Sequence, residues 1–305
     1  MRVFVTGATG FVGAAVTGEL LAHGHEVLGL ARSQERAAGL EEKGARSLIG
    51  DLAVPKTLQE GARACDAIIH TGFVHDFARF AASCAIDEAA IEAMGAAIEG
   101  TGKPFIVTAG LAGLSVEGRA ATESDLAPPP SAAYPRASDS AARRLSASGI
   151  PTAIMRLPPS VHGCGDHGFV PMLIDLARRN GRSAYLGEGA NVWPAVHVGD
   201  AARAFRLAVE QGPGAATFHA AAETGIAFRD IAHAIGEGLD VPCVSLTGDE
   251  ARAHFGWFLG FASMHQPVSS AWTQERLRWT PAGPDLLSDI RHAGYFAVDP
   301  FAAAV

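Results

Sequence analysis

Through its first half the chain alternates short apolar runs with longer segments rich in Ala, Leu, Arg and Glu. The runs Arg2–Thr6, Glu26–Leu30, Ser47–Ile49, Ala67–His70, Phe105–Thr108 and Thr152–Leu157 have the length and composition of buried strands. Between them, Phe11–Ala22, Gln34–Lys43, Phe77–Ile98 and Ala137–Ala147 are dominated by good helix formers. Gly24, Gly44, Gly100 and Gly149 each follow one of these segments, where a left-handed residue ends a helix. Strands separated by crossover helices predict an α/β fold, a parallel sheet covered on both faces. After Leu157 the rhythm breaks at Pro158, Pro159, Gly163, Gly165, Gly168 and Pro171, and a second, smaller lobe is expected from there.

Composition narrows the partners. The 305 residues are about half apolar and carry a net charge of −8, without a run of Lys or Arg. A nucleic-acid stripe or membrane-binding patch is therefore not expected, and the partner should be a small molecule. The apolar stretch at the N-terminus meets Thr6 and Gly7 too soon to be a signal peptide or a spanning helix, so a cytoplasmic protein is expected. Cys65, Cys84, Cys164 and Cys243 are scattered and read as reduced thiols. The histidines lack metal-ligand spacing, and no metal is expected.

The segment Thr6-Gly7-Ala8-Thr9-Gly10-Phe11-Val12-Gly13 joins the first strand to the first helix. Glycines so spaced allow a tight turn, close approach of backbone to a pyrophosphate, and tight packing of helix on strand. The helix N-terminus then faces the anion. This motif resembles the N-terminus of the extended short-chain dehydrogenase/reductases, the NAD-dependent epimerase/dehydratase kin. Further landmarks are similar and in the same order: Gly50-Asp51-Leu52, Asp66–His70 with Thr71-Gly72-Phe73, Val107–Gly110, Arg156-Leu157-Pro158, Val161-His162-Gly163, Ala195–Asp200, and Leu277–Pro281. The resemblance implies a Rossmann doubly wound sheet with a C-terminal substrate lobe. Residues 1–160 would bind the dinucleotide, with a segment at about 191–222 returning to that domain, while 161–190 and 223–305 would form the lobe. It further implies cofactor contacts from Gly7, Thr9, Gly10, Phe11, Val12, Gly13, Asp51, Leu52, Thr71, Gly72, Phe73, Thr108, Tyr134 and Pro158.

In such proteins a carboxylate at the end of the second strand accepts hydrogen bonds from the adenosine ribose of NAD. Here Ala31 stands there, followed by Arg32 and Ser33. Without the carboxylate a 2′-phosphate is not repelled, and a guanidinium can pair with it. NADP(H) is therefore favoured over NAD(H).

The catalytic set is incomplete. The resemblance implies a Ser or Thr after the fifth strand and a Tyr-x-x-x-Lys on the next helix, the Lys lowering the Tyr pKa. Tyr134 matches, but Gly110 and Ser138 stand in the places of the hydroxyl and the Lys. Arg136, two residues along the same helix, would face elsewhere. Tyr134 and His162 are the candidate catalytic groups, and His75, Phe77, Gly110, His162 and Trp193 the candidate substrate contacts. His70 and His197 read as structural. The aromatic run Phe255–Phe261 would cap the pocket, pack beneath it, or form a dimer surface; a monomer or homodimer is expected. The leading expectation is an NADPH-dependent reductase of a small carbonyl compound. The alternatives are an epimerase, isomerase or dehydratase that does not consume its cofactor, and a non-catalytic dinucleotide sensor.

Overall fold

The computed structural model describes residues 1–132, 134–212, 214–292 and 294–297. Its strands are β1 (Arg2–Thr6), β2 (Glu26–Ala31), β3 (Arg46–Ile49), β4 (Ala67–His70), β5 (Phe105–Gly110), β6 (Thr152–Leu157), β7 (Ser160–His162), β8 (Ser183–Leu186), β9 (Val192–His197), β10 (Thr217–His219), β11 (Glu223–Ala227) and β12 (Cys243–Leu246). Its helices are α1 (Phe11–Ala22), α2 (Gln34–Glu41), α3 (Pro55–Ala64), α4 (Phe80–Ala97), α5 (Ser138–Ala147), α6 (Phe169–Asn180), α7 (Val198–Gln211), α8 (Phe228–Leu239), α9 (Gly248–Phe255), α10 (Leu259–Ala262), α11 (Ala271–Leu277) and α12 (Leu286–His292). Short 3-10 turns at Phe77–Arg79 and Gly256–Phe258 lead into α4 and α10.

Seven strands form the main sheet in the order β10-β6-β5-β4-β1-β2-β3, and every pairing within it is parallel. Alternation along these strands divides the core between two faces. Val3, Val5, Ile69, Ile106 and Met155 point to one, where they pack with Val16 and Leu20 of α1 and Phe205 and Ala208 of α7. Phe4, Ile68, Phe105, Val107 and Ile154 point to the other, against Leu58 of α3, Ile91 and Met94 of α4, and Ala141 of α5. Strands apolar on both sides are thus sandwiched by helices, the Rossmann arrangement. A third apolar cluster gathers α6, α8, α9 and α12 around Trp193, Phe228, Phe255 and Phe258. A three-stranded sheet, β11-β9-β7, and the parallel pair β12-β8 accompany it.

Strand order reverses between β1 and β4, the place where such sheets leave a crevice beyond the strand ends. The loops after these two strands touch: a Cβ on Gly7 would stand 2.7 Å from the Gly72 Cα. Gly24, Gly44, Gly100 and Gly149 adopt positive φ, as their positions after helical segments require. Most expected elements differ from the observed ones by two residues or fewer at an end, and one is divided. Phe77–Ile98 is a 3-10 turn followed by α4, because the Asp76 carboxylate caps the turn by accepting from the N–H groups of Ala78 and Arg79. No described helix is long and apolar enough to cross a membrane.

Candidate active site

The glycine loop runs from β1 into α1. Gly7 has φ +69°, and a Cβ on Gly13 would lie 2.0 Å from the Gly7 carbonyl oxygen, so both positions exclude side chains. Gly10 is the N-cap of α1, and no side chain among the described residues bonds its first-turn N–H groups. An uncapped helix start framed by backbone that tolerates no Cβ fits an anion such as a pyrophosphate. Thr9, Phe11 and Val12 belong to this turn. At the end of β5 the Thr108 hydroxyl is buried with no hydrogen-bond partner among the described residues, a further group able to take a ligand there.

At the far side of the sheet, Ala31 is buried at the end of β2, while Arg32, Ser33 and Arg36 are exposed around the start of α2. The Ser33 hydroxyl caps that helix by accepting from the Arg36 N–H at 3.3 Å. Asp51 follows β3 and uses one carboxylate oxygen on the Ala53 N–H at 2.9 Å, and no described residue bonds the other. Leu52 borders Gly72. Thr71 ties its hydroxyl to the Thr6 carbonyl at 2.7 Å, which fixes the loop carrying Gly72 and Phe73. Pro158 is buried just past β6.

Tyr134 is not on a helix. Residues 134–137 are irregular and α5 begins at Ser138, with Ala137 as its N-cap. The Tyr134 ring lies over Gly113, 3.5 Å from where a Cβ would be, and its hydroxyl lies 3.9 Å from a Cβ built on Gly110 at the end of β5. Gly110, Tyr134, Arg136, Leu126, Pro128 and Pro129 line one crevice. Burial pushes the Tyr134 hydroxyl above its ordinary value, while the Arg136 charge pulls the other way.

The expectation that Arg136 faces elsewhere fails, because it assumed a helix through Tyr134. Arg136 turns into the crevice, its guanidinium carbon 4.3 Å above the Phe73 ring. Its Nε donates to the Ser138 hydroxyl at 3.1 Å. Ser138 in turn donates to Asp87 on α4 at 2.6 Å, and Asp87 lies 3.0 Å from His70 Nε2. His70 Nδ1 is 2.7 Å from the Thr6 hydroxyl, which accepts from the Gly72 N–H at 3.3 Å. With Nε2–H donating to the carboxylate and Nδ1 accepting from Thr6, every member of the chain is satisfied. Burial opposes the charge on Asp87, yet the bonds from His70 and Ser138 and the Arg136 charge hold its carboxyl below the usual carboxylate range.

A run of aromatic rings continues from Phe73, the ring beneath Arg136. Phe73 meets His75 at 5.3 Å between centroids, His75 meets Phe77 at 6.4 Å, and Phe77 stacks on Trp257 at 5.0 Å and 28°. Phe169 approaches Phe77 at 6.4 Å, and His167 approaches Phe11 of the glycine loop at 5.9 Å. Two expected substrate contacts lie elsewhere. Trp193 is fully buried behind Phe169, its indole N–H donating to the Phe261 carbonyl at 3.1 Å. His162 is also fully buried, with Nδ1 2.7 Å from Asp289 and Nε2 3.8 Å from Glu223, so its ring presents nothing to the crevice around Tyr134. Burial holds His162 below its ordinary value, against the pull of Asp289. His197 caps α7 by accepting from the Gly199 N–H at 3.2 Å.

Against known proteins, the family described as NAD-dependent epimerase/dehydratase matches residues 3–221. The chain belongs to that family. An uncharacterized protein of Schizosaccharomyces pombe is 45% identical over 297 residues, covering 97% of this chain and 100% of that protein. The 2-alkyl-3-oxoalkanoate reductase of Stenotrophomonas maltophilia is 32% identical over 228 residues, covering 71% of this chain and 68% of the reductase. Among solved structures, dTDP-glucose 4,6-dehydratase from Streptomyces venezuelae, with NAD bound, superposes with a TM-score of 0.76 at 20% identity, covering 97% of each chain. That likeness is one of fold. Sequence reading missed Asp87 and the inward Arg136, and it did not weigh Arg36 beside Arg32.

Proposed function

We propose that this family member is an NADPH-dependent reductase of a small apolar or aromatic carbonyl compound, with Tyr134 as proton donor. One observation carries the reading: the Tyr134 hydroxyl sits at the end of β5, beside Arg136, in the crevice beyond the strand ends. When bound, the dinucleotide supplies the hydride. The first-turn N–H groups of α1 hold its pyrophosphate, and Arg32, with Arg36 one turn on, pairs with the 2′-phosphate. Tyr134 passes its proton to the carbonyl oxygen as the carbon is reduced to the alcohol, and recovers a proton from solvent. Phe73, Phe77, Phe169 and Trp257 exclude water and favour an apolar substrate. The reductase-named relative supports carbonyl reduction over sugar chemistry.

Fluorescence titration should give tighter binding of NADPH than of NADH, and Arg32→Glu should weaken NADPH about tenfold or more while sparing NADH. Equal affinities for the two would overturn the cofactor choice. A screen of 3-oxo acids and aryl ketones should consume NADPH, and Tyr134→Phe should retain NADPH affinity while kcat falls about a hundredfold or more. Turnover without lasting loss of NADPH absorbance would instead mark an epimerase or dehydratase. Tight binding with no turnover across the screen would mark a sensor.

A further inference from the structure

Ser138 occupies the place where the family resemblance leads one to expect a cation serving Tyr134. Its hydroxyl cannot supply charge, but it does hold one. It accepts from Arg136 Nε at 3.1 Å and donates to Asp87 at 2.6 Å, and Asp87 is anchored through His70 to Thr6 at the end of β1. We propose that Arg136 is the positioning residue for Tyr134, a cation supplied from two residues along the chain and fixed by the buried Ser138–Asp87–His70–Thr6 chain.

Three features support this. First, the irregular backbone at 134–137 frees Arg136 from helical geometry, so that it shares the crevice with Tyr134. Second, its orientation is set at both ends of the guanidinium, by Ser138 at Nε and by the face of Phe73 at 4.3 Å, and no carboxylate pairs with it among the described residues. Third, the other groups acting on Tyr134 are already neutral or spent. Cys84 on α4 is a thiol that burial pushes up, and Asp139 on α5 is held by Arg143 at 2.7 Å and Arg156 at 2.8 Å. His75 is the further titratable ring on the Arg136 side. A guanidinium stays protonated at any working pH, so its effect on Tyr134 does not titrate away. The connection to Thr6 also means that Arg136 and the strand leading into the glycine loop are held by one network.

The proposal rests on the reductase reading only for its catalytic consequence, and its test needs no substrate. The chain has three tyrosines, Tyr134, Tyr185 and Tyr295, so fluorotyrosine incorporation followed by fluorine NMR gives three resonances, with Tyr134→Phe assigning the relevant one. The more acidic fluorinated phenol titrates while the fold is intact. Arg136→Met should raise the Tyr134 midpoint by about one pH unit or more, and Arg136→Lys should restore most of the shift. Ser138→Ala, which keeps the charge but releases it, should give a smaller rise. Unchanged midpoints in Arg136→Met would overturn the proposal. Should that variant not fold, an unchanged midpoint in Ser138→Ala does the same. With an active substrate, the alkaline limb of kcat in Arg136→Met should move up by the same shift. A Tyr134 that follows Arg136 in a protein reducing nothing would sink the reductase reading and leave this one standing. A working reductase whose Tyr134 ignores Arg136 would do the reverse.

Discussion

Ser138 is buried and bonded on both sides, as acceptor from Arg136 and donor to Asp87. Removing its hydroxyl leaves a buried carboxylate oxygen short of a partner, a loss of about 1–3 kcal/mol because desolvation of that oxygen is no longer offset. Ser138→Ala should therefore lower the free energy of unfolding by that amount in a urea titration with an unchanged slope. A loss below about half a kcal/mol would mean that water replaces the hydroxyl and that the chain to Arg136 is not closed. Asp87 went unread although a signal was there: it stands in an apolar stretch with Cys84, Ala90 and Ile91 at helical spacing, all buried on the inner face of α4. A carboxylate there demands donors, and His70 and Ser138 were the missing inference.

At the level of elements, the strands and the glycine loop were readable because each signal is local. Apolar residues fill both faces of β1, β4, β5 and β6, and the loop's glycines answer to backbone contacts within a few residues or to the facing loop after β4. Replacing Gly13 with Ala would force a Cβ to within 2.0 Å of the Gly7 carbonyl oxygen, which cannot move without breaking the turn. Gly13→Ala should therefore abolish saturable NADPH binding and lower the melting temperature, and a variant with wild-type affinity would show that α1 can slide off β1. Two elements were less readable, for different reasons. Helix α3 begins with Pro55 at its first turn, a start signal, but Gly61 in its middle argues against a helix until packing is known. A Cβ at Gly61 would lie 2.4 Å from the Phe4 ring, so tertiary contact dictates that glycine. Composition put the start of α5 at Ala137, next to where it lies, but the family resemblance put Tyr134 on the same helix, although Pro135 biases Tyr134 away from helical dihedrals. That one turn decides whether Arg136 faces the crevice. Trp193 and His162 were placed at the substrate from their position after strands, a rule that gives the end of the sheet but not the depth of a side chain.

Across the whole molecule, the segment from Gly163 to Gly168 links distant parts of the chain, since His167 reaches Phe11 of the glycine loop and Asp166 is tied to Tyr295. The Tyr295 hydroxyl donates to one Asp166 oxygen at 2.8 Å and accepts from the Gly163 N–H at 3.1 Å, while the Gly168 N–H donates to the other Asp166 oxygen at 2.7 Å. Burial pushes the Asp166 carboxyl up to about 6, against the help of those bonds. A carboxyl that holds its proton more tightly folded than unfolded stabilises the protein below the unfolded value of about 3.9, and that contribution is lost as pH rises through about 6. The two units between these values correspond to about 3 kcal/mol at most. Glu223, raised by burial, acts in the same sense, whereas His162, held below its ordinary value, destabilises the fold as pH falls. The wild-type profile therefore mixes opposing slopes, and the difference between wild type and Asp166→Asn isolates one of them. Urea titrations from pH 4 to pH 7 should show Asp166→Asn gaining on wild type by up to about 3 kcal/mol, with most of the gain between pH 4 and pH 6. Parallel profiles across that window would mean that Asp166 ionises as freely in the folded protein as in the unfolded chain, and the join at Tyr295 would then be open to water.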